Sequence, residues 1–384
     1  MTGPTRPAPV EFVSQVHVRD ASDLYPRPGN DIEPDFLRRY ADALEEAGFD
    51  HTLVPYGSAG FSALGVADAL SQLTERIGLI VALRPNLLHP TAAAQALATL
   101  DQLSRGRARV HLISGGNTAE QARQGDFLTK DERYERTAEF IGILRRAWTE
   151  AEPWSHEGRF YRFEDFVAGL KPVHGTVPIS FGGSSVQAHR IGGALADIYG
   201  LWGEPLAQTT EQIDTITAAA TAAGRAAPPR IWVTFRPIIA PTEEQAWEKA
   251  HTILGALRAQ RAGDPAPPPP ENAGSQRLLA AAAAGELHDR ALWTPVAAAT
   301  NAAGASTALV GTPETVVAAI LDYVDLGASI VSIRGYDNLN DVVDYGRYLL
   351  PPLREELARR APQAVTSPPA AAVPDAAVPV PVGT

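Results

Sequence analysis

Short apolar runs rich in β-branched residues alternate with longer amphipathic runs along most of the chain. Glu11–Val18 is predicted to be a strand, and Pro34–Ala47 a helix that ends at Gly48, a residue suited to a left-handed C-cap. Ile77–Leu83 is almost entirely apolar, as is typical of a parallel strand buried on both faces. Repeated strand–helix alternation of this kind indicates βαβ units and a parallel sheet.

Eight such strands are predicted. They are Glu11–Val18, His51–Val54, Ile77–Leu83, Ala108–Ile113, Val177–Phe181, Ala196–Leu201, Arg230–Ile239 and Ile330–Ile333. His156–Phe166 is predicted to be a hairpin insertion, and Leu339–Arg359 a closing helix. Eight strands alternating with helices favour an α/β fold of the (β/α)8 TIM-barrel type with insertions, and an open doubly wound sheet is the alternative.

The chain is predicted to hold one domain, over residues 10–361. Residues 1–9 are expected to be disordered, and residues 362–384, which are rich in Ala, Pro and Val, to form an extended or disordered tail. Gly263–Asn272 contains four consecutive prolines and cannot continue a helix or a central strand. It opens an insertion over about residues 260–305 that we predict to be a mobile lid.

Composition excludes several classes of protein. The 384 residues carry a formal net charge of −11, which disfavours binding to nucleic acid, and they include no cysteine, which removes disulfides and thiolate chemistry. The Pro-rich start lacks the apolar segment of a signal peptide, and no run of eighteen apolar residues predicts a membrane span. We therefore expect a cytoplasmic protein. The sequence has no HExxH, GxSxG or clustered metal-ligand motif, so metallohydrolase and serine-hydrolase functions are disfavoured.

Two loops rich in small residues follow predicted strands. Phe181-Gly182-Gly183-Ser184-Ser185 links a strand to a helix, where free amides and hydroxyls are suited to a phosphate group; a simple turn with a Ser N-cap is the alternative. Ile113-Ser114-Gly115-Gly116-Asn117 follows another strand and would lie at the same barrel mouth. Neither loop belongs to a Rossmann or P-loop motif, which disfavours a tightly held dinucleotide or triphosphate.

Polar and aromatic residues also mark the predicted strand ends. Arg84 ends an apolar strand and either forms a structural ion pair or contacts a ligand. Thr234 and Arg236 lie two apart on one strand and share a face. His17, near the end of the first predicted strand, is either structural or functional. Trp202 and Tyr336 each lie in a loop after a strand, and either contact a ligand or pack within their loops.

A series of motifs in this order resembles the bacterial luciferase-like flavin-dependent monooxygenases, and among them the alkanesulfonate monooxygenases. The motifs are Val81-Ala82-Leu83-Arg84-Pro85, Ala98-Thr99-Leu100-Asp101-Gln102-Leu103-Ser104-Arg105-Gly106-Arg107, Glu132-Arg133-Tyr134-Glu135, Phe181-Gly182-Gly183-Ser184-Ser185, Trp202-Gly203-Glu204-Pro205 and Thr307-Ala308-Leu309-Val310-Gly311. The resemblance implies a TIM barrel, reduced FMN supplied by a separate NAD(P)H-dependent flavin reductase, O2 as co-substrate, and a homodimer or homotetramer. The reaction it implies is oxidative cleavage of a carbon–sulfur bond in an organosulfonate or a related organosulfur compound.

The resemblance also suggests residue roles. The FMN phosphate is expected on Gly183, Ser184 and Ser185 with Tyr134 beside it, and Ser114, Gly115 and Arg84 are further cofactor-binding candidates. The catalytic candidates are Arg236, which would bind an anionic substrate or stabilise negative charge, Tyr336 and His17, which would transfer protons, and Trp202.

Several positions depart from the alkanesulfonate pattern. Gly60 replaces a cysteine, Thr234 and Arg236 replace an arginine and a histidine, and Asn338 replaces a second histidine, whereas Tyr336 is kept. A mobile-loop arginine of the family has no clear match, and Asn301 or Ala302 lies near its place. The alternatives are therefore a luciferase-like hydroxylation, epoxidation or Baeyer–Villiger reaction, a deazaflavin-dependent oxidoreductase, or a flavin-binding protein without catalysis.

Overall fold

The computed structural model describes residues 9–265, 267–304 and 307–360. Most of the predicted N-terminal segment and the predicted tail beyond residue 361 lie outside the described residues. The strands are β1 Glu11–Gln15, β2 His51–Val54, β3 Gly78–Leu83, β4 Ala108–Leu112, β5 Trp154–Glu157, β6 Arg162–Phe166, β7 Ile179–Gly182, β8 Ile198–Trp202, β9 Arg230–Ile239, β10 Leu287–His288, β11 Leu292–Trp293, β12 Ala308–Gly311 and β13 Ala328–Ile333.

Helices connect most of the barrel strands. They are α1 Pro34–Ala47, α2 Ala63–Leu73, α3 Pro90–Leu103, α4 Thr118–Ala122, α5 Lys130–Thr149, α6 Val186–Leu195, α7 Leu206–Ala222, α8 Glu243–Gln260, α9 Ala273–Ala284, α10 Pro295–Ala299, α11 Pro313–Asp325, α12 Asn338–Asp344, a π-helix at Tyr345–Leu349, and α13 Leu350–Arg360. Within the described residues, no helix combines the length and apolarity needed to cross a membrane.

The strands close into a parallel barrel in the order β1-β2-β3-β4-β7-β8-β9-β13. β9 pairs with both β8 and β13, and β13 pairs with β1, so the ring is complete. The predicted TIM barrel is confirmed, and the open doubly wound sheet is wrong. β5 and β6 form the predicted antiparallel hairpin.

β9 is longer than the barrel wall requires. Its residues Ile231–Phe235 pair with β13, whereas Arg236–Ile239 pair with β12, a strand that the sequence analysis did not predict. β12 continues through β11 to β10 as an antiparallel extension. Arg236 therefore begins the part of β9 that leaves the barrel wall.

The predicted closing helix Leu339–Arg359 is interrupted. A π-helical turn at Tyr345–Leu349 separates α12 from α13. Pro351 and Pro352 have no backbone N–H to donate to the preceding turn, which accounts for the broken hydrogen-bond pattern.

Alternate residues along each barrel strand point inward and form layers. At the N-terminal end, Glu11 accepts hydrogen bonds from Arg109 at 2.6 Å and Arg230 at 2.8 Å, and His51 lies 3.1 Å from the same carboxylate. A Cβ on Gly78 would lie 1.8 Å from His51 Nδ1, so only glycine fits beside that ring. Above this polar layer is an apolar one, made of Val13, Leu53, Ile80, Ile198, Trp232 and Ile330. The next layer opens into a cavity.

Candidate active site

A cavity of about 550 Å3 opens at the C-terminal ends of the barrel strands. This is the end of the barrel at which TIM-barrel enzymes bind their ligands. Its lining includes Gln15, Arg84, His111, Ser114, Gly115, Glu120, Lys130, Tyr134, Gly183, Ser184, Ser185, Trp202, Trp232, Thr234, Asn272, Ala273, Gly274 and Arg334.

One wall of the cavity is a cradle formed by the loop between β7 and α6. Gly183 has a φ of +138°, and a Cβ there would lie 2.9 Å from Ala188 Cβ, so the turn requires glycine. Ser185 is the N-cap of α6 and accepts a hydrogen bond from the Ala188 amide at 3.2 Å. Its hydroxyl also donates to Tyr134 Oη at 3.1 Å, and Lys130 lies on the same cavity. Backbone amides, hydroxyls and an ammonium group beside a helix N-terminus are suited to a phosphate.

The loop after β4 forms a second wall. Gly115 has a φ of +90°, and a Cβ there would lie 2.0 Å from Gln121 Nε2, so this turn also requires glycine. Ser114 lines the cavity while its hydroxyl lies 2.9 Å from Thr137 Oγ1 on α5. The two small-residue loops that were singled out in the sequence thus lie on one cavity.

Arg84 lies on the cavity and in an ion pair at the same time. Its guanidinium is 2.7 Å from Glu120 and 4.9 Å from the centre of the Tyr56 ring. Burial opposes ionisation of Glu120, but hydrogen bonds from Arg84 and from the Ser58 amide outweigh it and lower the pKa of that carboxyl. Both interpretations of Arg84, structural ion pair and ligand contact, fit this position.

The four catalytic candidates are placed differently. Trp202 lines the cavity, whereas Arg236, Tyr336 and His17 are not among the described residues that line it. Arg236 donates to Asp23 and to the Gly335 carbonyl, and its guanidinium carbon lies 3.6 Å from the centre of the Tyr336 ring. The anionic partner expected for Arg236 is therefore a fixed carboxylate.

His17 and Tyr336, the two proton-transfer candidates beside Arg236, are neutral near pH 7. Burial lowers the pKa of His17 to about 4, and the nearby positive charge of Arg334 acts in the same direction. Burial raises the pKa of Tyr336 to about 12. Among the described residues, no group of three or more His, Asp or Glu side chains is arranged to hold a metal ion.

A family model described as luciferase-like monooxygenase matches residues 12–329. The chain belongs to the luciferase-like monooxygenase family. This finding confirms the family that the sequence motifs suggested.

Solved structures share the same fold. A riboflavin lyase (RcaE), determined with modified FMN and its substrate riboflavin, has a TM-score of 0.75 at 24% identity over 91% of this chain and 92% of the other. An EDTA monooxygenase (EmoA) from Chelativorans sp. BNC1 has a TM-score of 0.73 at 18% identity, over 91% and 94%. A coenzyme F420 dependent tetrahydromethanopterin reductase from Methanopyrus kandleri has a TM-score of 0.65 at 17% identity, over 90% and 100%. At these identities the similarity establishes the fold alone.

Several residues that line the cavity of this luciferase-like protein were not identified from the sequence. His111, Trp232, Gln15, Lys130 and Arg334 all line it. His111 could have been found from the pattern of β4, in which polar and apolar residues alternate. Residues two apart on a strand share a face, so the polar residues of β4 all face either the barrel interior or the surrounding helices. The same alternation places Trp232 and Arg334 on the inner face.

His111 lies at the bottom of the cavity. Its Nδ1 is 3.0 Å from Ser180 Oγ, and its ring centre is 5.4 Å from that of Trp232. Ser180 donates its hydroxyl proton to the Val110 carbonyl at 3.1 Å, so Nδ1 of His111 is the donor to Ser180 and its Nε2 is an acceptor. Burial lowers the pKa of His111 to about 4, so the ring is neutral near pH 7.

The positions that depart from the alkanesulfonate pattern have local partners. Thr234 lines the cavity. Asn338 donates to the Ala21 carbonyl at 2.7 Å, and Asn301 donates to the Pro268 carbonyl at 3.0 Å. The Gly60 amide donates to the Gly57 carbonyl at 3.0 Å in a turn.

The Pro-rich insertion reaches the cavity. Asn272, Ala273 and Gly274, at the start of α9, line the mouth. Glu271 accepts hydrogen bonds from the amide and the hydroxyl of Thr118 at 2.9 and 2.7 Å, across the mouth of the barrel. The insertion thus borders the mouth of the cavity, and its role as a mobile lid stays a prediction.

Proposed function

We propose that this chain is a two-component monooxygenase that uses O2 and reduced FMN delivered by a separate NAD(P)H-dependent flavin reductase. The observation that carries the proposal is the cradle of Gly183, Ser184 and Ser185, with Tyr134 and Lys130 beside it, on the wall of a cavity of about 550 Å3. This volume lies within the range of about 300–1,000 Å3 that is usual for cofactor and small-molecule sites.

The residues of the cavity fit FMN. The cradle would hold the phosphate, and the wall formed by Ser114 and Gly115 would face the flavin ring system. Bound reduced FMN supplies the electrons for the activation of O2, so the protein contributes binding, orientation and the exclusion of water. His111 and Trp202 present a neutral hydrogen-bond acceptor and an indole surface to the substrate.

The charge of the cavity favours an anionic substrate. Of the described residues that line it, Arg84, Lys130 and Arg334 are basic, and Glu120 alone is acidic. Glu120 and Arg84 pair at 2.7 Å and offset each other, and Lys130 lies beside the phosphate cradle, so Arg334 is the basic residue of the described lining that we assign to the substrate. This local positive charge opposes the net charge of −11 of the whole chain, and a cavity with focused positive potential attracts anions. An organosulfonate fits this charge, with oxidative cleavage of its carbon–sulfur bond as the reaction: alkanesulfonate, O2 and reduced FMN give aldehyde, sulfite, water and FMN.

The proposal is tested first by cofactor binding. In anaerobic titrations, reduced FMN should bind more tightly than reduced FAD, since nothing among the described lining residues provides for an adenosine half, and more tightly than a reduced deazaflavin. Equal or better binding of FAD would contradict the FMN proposal. Tighter binding of the deazaflavin would support a hydride-transfer enzyme instead.

The second test is turnover. The protein is combined with a flavin reductase, NADH, FMN and O2, and 1-octanesulfonate, a dialkyl sulfone and an alkane are offered in turn. Sulfite and aldehyde should form from the sulfonate in proportion to flavin oxidised. If the oxidation of reduced FMN yields only hydrogen peroxide from O2 with all the sulfur compounds, the organosulfur substrate is wrong. If the alkane is hydroxylated, the reaction class is a hydroxylation.

A further inference from the structure

Trp202 lines the cavity and also packs against α9, the first helix of the insertion. It lies on the cavity wall, and a Cβ on Gly274 would lie 2.9 Å from its ring carbons Cε3 and Cζ3. Glycine at this position thus lets the first turn of α9 lie directly on the indole. Because Asn272, Ala273 and Gly274 also line the cavity, the position of α9 decides how far the mouth is covered.

A second contact between the same two segments lies outside the cavity. Glu204, two residues after Trp202, has a fully buried side chain. Arg277, three residues after Gly274 and on the same face of α9, donates from Nε to both carboxylate oxygens of Glu204, at 3.0 and 2.9 Å. The exposed carboxylate of Glu211 lies 3.2 Å from Arg277 Nη2.

Glu204 is the fixed member of this pair. Its backbone carbonyl accepts hydrogen bonds from Tyr323 Oη at 2.7 Å and from Thr209 Oγ1 at 3.1 Å. Its carboxylate is buried, and burial raises its pKa while Arg277 opposes that rise. If Arg277 were replaced by an uncharged residue, the buried Glu204 carboxylate would have to take up a proton or reach water. The electrostatic attraction between Glu204 and α9 would then be lost.

Other contacts hold the far side of the helix. Ser275 Oγ donates to the Ala302 carbonyl at 2.6 Å, and Leu278 is buried against Ala297 and Ala302. These contacts join α9 to the rest of the insertion, whereas the contacts of Glu204 and Trp202 join it to the barrel. Loss of the Glu204 contact should therefore loosen α9 on the barrel, while the rest of the insertion stays attached through the pairing of β11 with β12.

We propose that Arg277 is a positioning residue that holds α9 over the cavity through Glu204 and so determines how well the site excludes solvent. Arg277 is itself absent from the described residues that line the cavity, so it acts through the helix. The claim that Arg277 affects solvent exclusion rests on the proposed function, whereas the claim that Arg277 anchors α9 does not.

Anchoring is tested on the full-length protein by hydrogen–deuterium exchange. Arg277→Gln should speed amide exchange in residues 273–284 roughly tenfold and leave β8 unchanged, with Arg277→Lys intermediate because it keeps the charge but loses the planar fork. Arg290→Gln is the matched control, since Arg290 lies in the same insertion and forms an ion pair with Asp322 on the surface. The double variant Glu204→Gln/Arg277→Gln should exchange no faster than Arg277→Gln. Exchange in Arg277→Gln equal to that in Arg290→Gln would overturn the anchor.

Solvent exclusion is tested by the coupling of flavin oxidation to product. Arg277→Gln should produce more hydrogen peroxide per flavin oxidised, bind reduced FMN within about twofold of the parent, and regain part of the coupling when Lys replaces Gln. Faster exchange in α9 with unchanged coupling would overturn the solvent-exclusion role. Absence of product from the parent protein with every substrate would instead overturn the proposed function and leave the anchoring result standing.

Discussion

The guanidinium of Arg236 stacks on the ring of Tyr336, 3.6 Å from its centre, and donates to the Gly335 carbonyl next to it. This contact joins the end of the barrel part of β9 to the loop that follows β13. Asp23 accepts a further hydrogen bond from the same guanidinium. Arg236 thus holds a loop behind the cavity wall, and its effect on catalysis would pass through that loop.

Replacing Arg236 by Met should therefore destabilise the protein as well as impair turnover. The Gly335 carbonyl would lose a charged donor, at a cost of about 2 kcal/mol in the free energy of unfolding. Arg236→Lys should keep part of the ion pair with Asp23 but lose the planar stacking on Tyr336, and should still lower turnover. Urea unfolding and the ratio of product to flavin oxidised are the two measurements. A variant with Met that is as stable and as well coupled as the parent would show that the contact is dispensable.

The cradle makes a separate prediction about cofactor affinity. Gly183→Ala should weaken the binding of reduced FMN at least tenfold, because the added Cβ would lie 2.9 Å from Ala188 Cβ at a φ of +138°. Tyr134→Phe removes the hydroxyl that contacts Ser185 and should weaken binding less. Anaerobic fluorescence titration measures both.

Ser185→Ala needs a control because Ser185 also caps α6. Loss of such a cap costs about 0.5–2 kcal/mol of stability wherever it occurs. Thr312 caps α11 in the same way, accepting from the Thr315 amide, and is not among the described cavity residues. Ser185→Ala should lower both stability and FMN affinity, whereas Thr312→Ala should lower stability alone. Equal FMN affinity in the two variants would remove Ser185 from the cofactor site.

The barrel could be predicted from the sequence because each of its strands has a recognisable local pattern of apolar residues. β9 was predicted with its observed ends, and the two small-residue loops were placed after the strands that they do follow. β12 was missed because Ala308–Gly311 is a short run that becomes a strand only by pairing with the outer half of β9.

The site could be predicted only in part, because its floor depends on how the strands close. His111 and Trp232 look like ordinary strand residues until the inner face of the barrel is known. Arg236 shares its strand face with Thr234, yet only Thr234 lies on the cavity, since β9 leaves the wall after Phe235. Neither the end of the barrel wall nor the partner Asp23 is a local property of the sequence.

Two half-buried histidines predict a pH dependence of stability. His111 has a folded-state pKa lowered to about 4, against about 6.5 for an unperturbed histidine. Its stabilising contribution is therefore complete above pH 6.5 and is lost as the pH falls from 6.5 to 4, because the unfolded chain takes up the proton first. His111→Asn should reduce the loss of unfolding free energy between pH 7 and pH 5 by about 2 kcal/mol.

Denaturant unfolding at the two pH values measures this effect. His174, which is exposed, provides the control, and His174→Asn should leave the pH dependence as in the parent. His17 has a pKa lowered to the same value, so part of the dependence should persist in His111→Asn. An unchanged pH dependence in His111→Asn would contradict the neutral state of this ring.

Arg334 makes the sharpest prediction about the substrate. It lies on the cavity beside Gln15, to whose side-chain oxygen its Nη1 donates at 3.2 Å, and burial lowers its pKa to about 10, so it stays charged at pH 7. A hydrogen bond between a guanidinium and a sulfonate contributes about 1.5–3 kcal/mol, and about 1.4 kcal/mol corresponds to a tenfold change in affinity. Arg334→Gln should therefore weaken the binding of 1-octanesulfonate roughly 10–100-fold, measured by calorimetry without turnover.

The binding of neutral 1-octanol should change less than about twofold, since it has no charge to lose. Arg334→Lys should lie between the two, and Gln15→Met, which keeps the charge while removing a neighbour, should cost less than Arg334→Gln. If Arg334→Gln binds the sulfonate as tightly as the parent, the anionic group is held elsewhere, and Arg84 and Lys130 become the positions to vary next.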